Sequence, residues 1–449
     1  MQLVWLYYTT YQIKFQGVFA KYFDLLFGKV GQMLYTTFTL KGAKMNCKEK
    51  LELFGQEHLL KFADSLSKEE LSNLEKQIEG LDFSYLNLLN KTEEKKECEI
   101  TPLKAMTVDE IAKNTEEYFS LGLDAIKRGE LAVVLVAGGM GTRLGSDSPK
   151  GCYNIGKTKD VFIFQRLFEN TLEVVKQAGN FVHFFIMTSE KNDQETRAFL
   201  KAHKYFGYDE NFVHFFVQEM APCVSEDGKI LLEEKGRVAT SPNGNGGWFV
   251  SLLKDESARK ALEKSNAKWV NIFAVDNVLQ RIADPVFFGA ILKENCEVGG
   301  KVIRKADPYE KVGVVCNKDG RPSVVEYIDL TEEMAHQTDE NGERVYNFGV
   351  IFNYIFSLDM LYRVKDEKLP VHVVHKKVEY VNQDGNTVKP ESPNAYKFEM
   401  LGVDMVELAT SFIPYEVVRE KEFAPIKNKT GVDSVESAQA LLEKNGYEL

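Results

Sequence analysis

The chain lacks any excess of positive charge. Its 449 residues carry 56 Lys and Arg against 67 Asp and Glu, a net charge of −11. A nucleic-acid binder needs a basic face, so that class of partner is not expected. No stretch of about 18 uncharged apolar residues occurs, so no membrane-spanning helix is expected. The six cysteines (47, 98, 152, 223, 296, 316) are scattered without a C-x-x-C pair. That spacing offers neither a disulfide framework nor a structural zinc site, and fits reduced thiols in a cytoplasmic protein. Histidine is sparse, and His183, His214, His372 and His375 all lie in hydrophobic strand contexts. They read as packed or edge residues, and no Ser/His/Asp arrangement stands out. Internal repeats and low-complexity tracts are also missing.

The most informative stretch present is LAVVLVAGGMGTRLGSDSPKGC, residues 131–152. An apolar run, Leu131 to Val136, reads as a buried strand and stops at Ala137-Gly138-Gly139. Glycines after such a strand let backbone N–H groups approach a phosphate with no Cβ in the way. Arg143 and Lys150 add two cations suited to phosphoryl oxygens. The loop is not a P-loop, because no Gly-Lys-Ser/Thr follows. Nor is it a dinucleotide fingerprint, because Leu144 stands where the third glycine belongs. It reads as a loop that holds a nucleoside triphosphate.

Helix-like spacing covers 48–63, 67–79 and 107–128, with Ser67 and Glu70 forming a capping-box signal. Beyond the loop, helical segments (160–178, 191–204, 246–264) alternate with strands (181–188, 211–218, 269–277). Such alternation predicts an α/β fold with a Rossmann-like, mostly parallel central sheet and helices on both faces. Ligands of these sheets sit beyond the C-terminal strand ends, where the glycine loop, Gln218 and Asp276 fall. Past residue 300 the strands run closer together, with hairpin signals at Asp319-Gly320 and Asp384-Gly385, and 434–445 reads as a closing helix. Residues 91–99 form a charged, mobile-looking stretch. The first 44 residues carry five lysines, one acid and many aromatics. They fit neither a signal peptide nor an organelle leader well, and Met45 is expected to be the natural start. The expected organisation is 1–44 as a non-native extension or disordered leader, 45–110 as an N-terminal helical segment, 111–405 as the catalytic domain and 406–449 as a short C-terminal region.

Other motifs say less alone. Asp276 in VDN ends a strand, where it could ligate a divalent cation that neutralises a triphosphate, or simply cap a turn. SPNGNGGWF (241–249) opens a helix and could present N–H groups to a base, a sugar or a phosphate. Glu326 in VVEY could accept from sugar hydroxyls or face solvent. Lys397 in AYKFEM is a possible second phosphate cation. REKEFAPIKNK (419–429) reads as a solvated charged run.

In order, these segments resemble the UDP-N-acetylglucosamine pyrophosphorylase family of eukaryotic sugar nucleotidyltransferases. The carrying pieces are GQEHLLKF, LVAGGMGTRLG with PKG, HKYFG, DGKILLEEK, PNGNGG, VDN with ADP, KVGVVC, VVEY, KPESPNAYKFEM and YEVVREKEFAPIKN, from about Cys47 to Lys429. The resemblance implies a reaction of UTP with N-acetylglucosamine 1-phosphate, giving UDP-N-acetylglucosamine and pyrophosphate with Mg2+. It implies that Gly138, Gly139 and Gln218 contact uracil or ribose, with Val136, Gly141 and Gly244 in the same nucleotide site. Arg143 and Lys150 would bind and polarise the triphosphate, and Lys397 a product phosphate. Asp276 would hold the metal, with Asp404 a second contact. Asn245, Gly313 and Glu326 would meet the N-acetylated sugar.

Two departures from the family stand out. Where its members read FNAGN, this chain reads YNFGV at 346–350, so Val350 replaces an asparagine that contacts the sugar. The chain also stops about 20 residues after the KNK segment, so a C-terminal β-rich domain is expected to be absent or reduced. A UDP-glucose or broad UDP-sugar pyrophosphorylase is the close alternative. A non-catalytic nucleotide-sugar binding protein is the distant one.

Overall fold

A computed structural model describes residues 46–89 and 98–449. The leader expected at 1–44 and most of the charged stretch 91–99 lie outside the described residues. The chain divides into two compact units. In the smaller one, residues 46–83 are joined by Lys229–Ala239 and Glu379–Lys389. Its helices are α1 (Cys47–Phe54) and α2 (Lys68–Gly80). The expected long helix over 48–63 ends at Gly55, which takes φ 64 as a left-handed cap; short 3-10 turns follow at Glu57–Leu60 and Ala63–Ser65. The Ser67/Glu70 capping box starts α2 as its spacing requires. His58 Nε2 lies 2.7 Å from Ile230 O. Gln77 Oε1 accepts from Val238 N at 2.9 Å, and Lys61 Nζ donates to Gln383 O at 2.7 Å. The Asp384-Gly385 hairpin joins Tyr380–Val381 to Thr387–Val388 in this unit.

The larger unit holds residues 84–228, 240–378 and 390–449. Helix α3 (Val108–Lys127) begins at Thr107, whose side chain caps Glu110 N. It leads to β1 (Leu131–Val136) and, beyond the glycine loop, α4 (Ile163–Ala178). Then come β2 (Phe184–Thr188), α5 (Asp193–Ala202) and β3 (Val213–Val217). The expected helix 246–264 is two helices, α6 (Trp248–Lys254) and α7 (Glu256–Lys264). Asp255 breaks it, because its side chain accepts from Ala258 N and caps α7. Strand β4 (Trp269–Ala274), α8 (Pro285–Glu294) and β5 (Val298–Arg304) follow. Next are β6 (Val314–Lys318), β7 (Arg321–Val325), β8 (Phe348–Ser357) and α9 (Leu358–Val364). The unit ends with β9 (His372–Lys376), β10 (Ala395–Glu399), β11 (Phe412–Glu416) and α10 (Val435–Lys444).

Strands β4, β1, β2 and β3 lie side by side and all parallel. Antiparallel β8 extends this block at β4, and β5 pairs antiparallel with β8 and parallel with β11. The Asp319-Gly320 hairpin joins β6 to β7, both turn residues having positive φ. Alternate residues of β1 feed two cores: Leu131, Val133 and Leu135 face α3, α4 and α8, whereas Ala132 and Val134 face α6, α7 and α9. Helices α3 and α8 touch at backbone distance. A Cβ on Gly122 would lie 1.9 Å from Pro285 O, and one on Gly289 would lie 1.7 Å from Tyr118 O. No helix among the described residues is long and apolar enough to cross a membrane.

Candidate active site

The loop after β1 folds onto itself. Gly141 N donates to Ser148 O at 2.9 Å, and Lys150 N donates to Gly139 O at 3.1 Å. The second bond sets the position of Lys150 relative to the first glycines. Asn192, fully buried just before α5, holds the loop from behind, its Nδ2 donating to Ala137 O at 2.9 Å. Nothing local in the sequence marks Asn192 for this task, because its partners lie about 55 residues upstream.

One cavity of about 350 Å³ adjoins the loop. Its wall includes Val136, Gly138, Gly139 and Gln218, and across from them Gly244, Asn245 and Lys397. Seven of the expected site residues thus converge from four separate stretches of chain. Two of the three glycines are required by distance: a Cβ on Gly138 would lie 2.4 Å from Gln218 Nε2, and one on Gly244 would lie 2.2 Å from Met400 O, whereas one on Gly139 would meet nothing within 4 Å. Gly244 also takes φ 85. Gly141, by contrast, faces Ser146 and Ser148 and serves the turn. Asn245 Oδ1 accepts from Gly402 N at 2.8 Å, which fixes its orientation.

Beside this cavity lies a cationic group. Arg143 is exposed and has no hydrogen-bond or ion-pair partner among the described residues. Lys150 is half-buried, its Nζ donating to Ile426 O at 3.2 Å. Burial, with help from the nearby charges of Arg143 and Lys427, pushes the Lys150 ammonium below its ordinary range, while Asp276 opposes that shift. Asp276 follows β4, and its carbonyl accepts from Ile426 N at 2.9 Å. Asn277 locks the same two segments together: its Nδ2 donates to Glu422 O at 2.7 Å and its Oδ1 accepts from Ala424 N at 2.9 Å. The run 419–429, expected as a solvated surface, therefore packs Ala424, Pro425 and Ile426 against the strand end and delivers Lys427 beside Lys150. Lys427 is the cation that sequence reasoning missed. The available signal was the uncharged A-P-I triplet inside a charged run. Lys397 lines the cavity, whose wall does not include Arg143, Lys150 or Lys427.

A third group sits on the hairpin side. Val350 N donates to Gly313 O at 2.9 Å, and a Cβ on Gly313 would lie 3.3 Å from Glu326 Oε1. The Val350 side chain packs on the apolar cluster under β8. Burial and then the Asp404 charge push the Glu326 carboxyl above its ordinary range. Asp404 Oδ2 is 3.0 Å from His372 Nε2, and that bond raises His372. Asp404 thus shares its electrostatic neighbourhood with His372 and Glu326, whereas Asp276 shares one with Lys150.

Asp276 is the carboxylate that could hold a divalent cation. Among the described residues no cluster of three or more His, Cys, Asp or Glu forms a metal cage. One carboxylate still suits Mg2+, which commonly takes one or two carboxylates plus substrate phosphates; of the cations nearby, Lys427 is itself paired with Asp433 at 3.0 Å.

The profile of the UTP--glucose-1-phosphate uridylyltransferase family matches residues 82–447. The chain is 35% identical to a mouse UDP-N-acetylhexosamine pyrophosphorylase-like protein 1, over 87% of this chain and 82% of the relative. It is 35% identical to the Saccharomyces cerevisiae UDP-N-acetylglucosamine pyrophosphorylase, over 85% and 82% respectively. It also resembles the crystal structure of the Trypanosoma brucei uridine diphosphate N-acetylglucosamine pyrophosphorylase in complex with inhibitor. That match has a TM-score of 0.76 and 29% identity, covering 88% of this chain and 83% of the other.

Proposed function

The chain belongs to the UTP--glucose-1-phosphate uridylyltransferase family and is a nucleotidyltransferase, and we propose that it makes UDP-N-acetylglucosamine and pyrophosphate from UTP and N-acetylglucosamine 1-phosphate. The observation that carries this reading is one cavity joining Gly138, Gly139, Gln218, Gly244 and Asn245, with Lys150 tied to its rim through Gly139.

Uridine occupies the cavity against Gly138, Gly139 and Gln218, with its phosphates toward the loop. Arg143, Lys150 and Lys427 neutralise the triphosphate. A phosphate oxygen of the sugar phosphate attacks the α-phosphorus in line. A new P–O bond forms, the bond from the α-phosphorus to its bridging oxygen breaks, and that electron pair leaves with pyrophosphate. The nucleophile is already an anion, so the step needs no general base; positioning and charge stabilisation suffice. Asp276 would hold Mg2+ together with substrate phosphates, and the ion would supply further charge neutralisation. Lys397 meets a phosphate from the cavity side. Asn245, Gly313 and Glu326 contact the sugar, and Asp404 acts with His372 beside Glu326 rather than at the metal. The six scattered cysteines, without a disulfide framework in their spacing, support a cytoplasmic site for this activity.

Val350 favours a second reading, a broader UDP-sugar pyrophosphorylase, because it offers the sugar no side-chain hydrogen bond. Pyrophosphate release by the full-length protein from UTP and Mg2+ separates the two, with N-acetylglucosamine 1-phosphate and glucose 1-phosphate run in parallel. Clear preference for the N-acetylated sugar is expected. Equal or reversed rates would move the protein to the broader class, and silence with both would favour a binding protein.

A further inference from the structure

The backbone of Ile426 has two partners, and both belong to the reaction centre. Its N–H donates to the Asp276 carbonyl at 2.9 Å, and its carbonyl accepts from Lys150 Nζ at 3.2 Å. One fully buried residue thus spans from the strand end that carries Asp276 to the ammonium of Lys150. The depth at which the 422–427 segment sits therefore sets the separation of those two groups.

A buried polar network behind the segment fixes that depth. Asn277 Nδ2 donates to Glu422 O at 2.7 Å, and its Oδ1 accepts from Ala424 N at 2.9 Å. Val278 N adds a bond to Ala424 O at 3.3 Å. The Glu422 carboxylate turns to Lys301 on β5, whose Nζ lies 2.5 Å from Glu422 Oε2. Lys301 is fully buried and also meets Asp284 Oδ2 at 3.0 Å and Arg281 O at 3.2 Å. Arg281 in turn lies 3.5 Å from Asp284 Oδ1, so two cations face two carboxylates and their charges balance. Gln280 Nε2 donates to Ala274 O at 2.7 Å and to Asn277 O at 2.8 Å, folding the turn after β4 back on its strand. Asn277, Gln280, Asp284, Lys301 and Glu422 are all buried. Groups of this kind are costly to bury unless paired, and a paired network admits one arrangement of the segments it joins. None of them lines the cavity at Gly138 and Gln218, so they act on the reaction only through Ile426 and Asp276.

We propose that Asn277 is a positioning residue for uridylyl transfer: backed by the Lys301–Glu422 pair, it fixes how far Ile426 holds Lys150 from Asp276. The role rests on the reaction proposed above.

The test compares the full-length parent with Asn277→Ala and Glu422→Gln, by amide hydrogen exchange and by pyrophosphate release. In Asn277→Ala the Val278 and Ile426 amides, whose own acceptors remain, should exchange about tenfold or more faster. The amides of β1 should keep the parent's rates. Turnover should fall about 10- to 100-fold in kcat, while KM for UTP stays within about twofold because the cavity wall is untouched. Glu422→Gln keeps the carbonyl that Asn277 donates to, and should move both readouts less, in the same direction. Parent-like exchange at Ile426 overturns the proposal. So does faster exchange at Ile426 with parent-like kcat, which would leave Asn277 a structural role alone. If Asn277→Ala loosens β1 as well, Glu422→Gln decides: a lower kcat with β1 intact supports the role, and a parent-like kcat overturns it. An inactive parent would sink the reaction assignment, and this role with it. An active parent with equally active variants would sink the positioning role only.

Discussion

Replacing Lys150 by alanine isolates the charge at the centre of the reaction. The side chain has one hydrogen bond, to Ile426 O at 3.2 Å, and faces Arg143 and Lys427 as well as Asp276. A bond from a charged donor contributes about 1.5–3 kcal/mol. Relief of a partly buried cation beside two others offsets much of that. The net change in stability is expected to stay within about 1 kcal/mol, or about 1–2 °C in Tm for a unit of this size. Turnover behaves differently, because charge grows on the leaving pyrophosphate only in the transition state. Loss of one preorganised charge stabiliser costs about 2.7–4 kcal/mol, a fall of about 10²–10³ in kcat. The assay is initial pyrophosphate release at saturating UTP, sugar phosphate and Mg2+, with Tm on the same samples. Burial lowers the Lys150 pKa below 10.5, and the ammonium is the active form. Activity therefore falls as pH rises through a limb below 10.5, and Lys150→Arg moves that limb out of range. A folded Lys150→Ala protein that loses less than about tenfold in kcat, short of the expected range, would refute the assignment. An alkaline limb unchanged in Lys150→Arg would do the same.

Gly138→Ala places a Cβ 2.4 Å from Gln218 Nε2, so KM for UTP rises about tenfold, the equivalent of about 1.4 kcal/mol. Adding Gln218→Ala recovers part of that loss in a double-mutant cycle; strict additivity would show that the two side chains do not meet. Val350→Asn restores a side-chain hydrogen bond of about 1 kcal/mol, and competition between the two sugar phosphates should move about fivefold toward the N-acetylated one. An unchanged ratio would remove position 350 from the sugar site. His214 is pushed down to about 4, by burial first and then by His183, whose ring nitrogen lies 2.9 Å away. The folded state therefore binds fewer protons than the unfolded chain below about pH 6.5. Stability is full above that pH and falls on acidification toward 4, by about 2 kcal/mol at pH 5. Urea midpoints of the parent and His214→Gln between pH 7 and 5 check this: the parent should lose more, and parallel curves would contradict it.

Legibility followed the range of the interaction. The Ser67/Glu70 cap, the two hairpin turns and the strand–glycine boundary at Val136 depend on neighbours within a few residues, and the structure has them where the sequence puts them. Periodicity failed where one residue redirects the backbone. Gly55 ends the first helix in the left-handed region, and Asp255 splits the 246–264 helix by capping its second half. The partners of Asp404 and the position of Lys427 were hidden for another reason. Each depends on a contact spanning more than 30 residues, His372 with Asp404 and Ile426 with Lys150, and no local pattern reports such a contact.

The sequence by itself determined the chemistry on offer. It supplied a glycine loop after a buried strand, cations spaced for phosphates, and a carboxylate at the next strand end. Those features are set by covalent neighbours and short-range sterics, so they survive in one dimension. Only the tertiary structure decided which charges act together. Parallel pairing of β4 with β1 sets Asp276 beside the glycine loop, and the 422–427 segment, bonded through Asn277, brings Lys427 to Lys150. Coulomb energy falls with distance through space and rises as water is removed. A lysine that reads as solvated surface along the chain therefore comes to act on the charge of Lys150 when the fold carries it there.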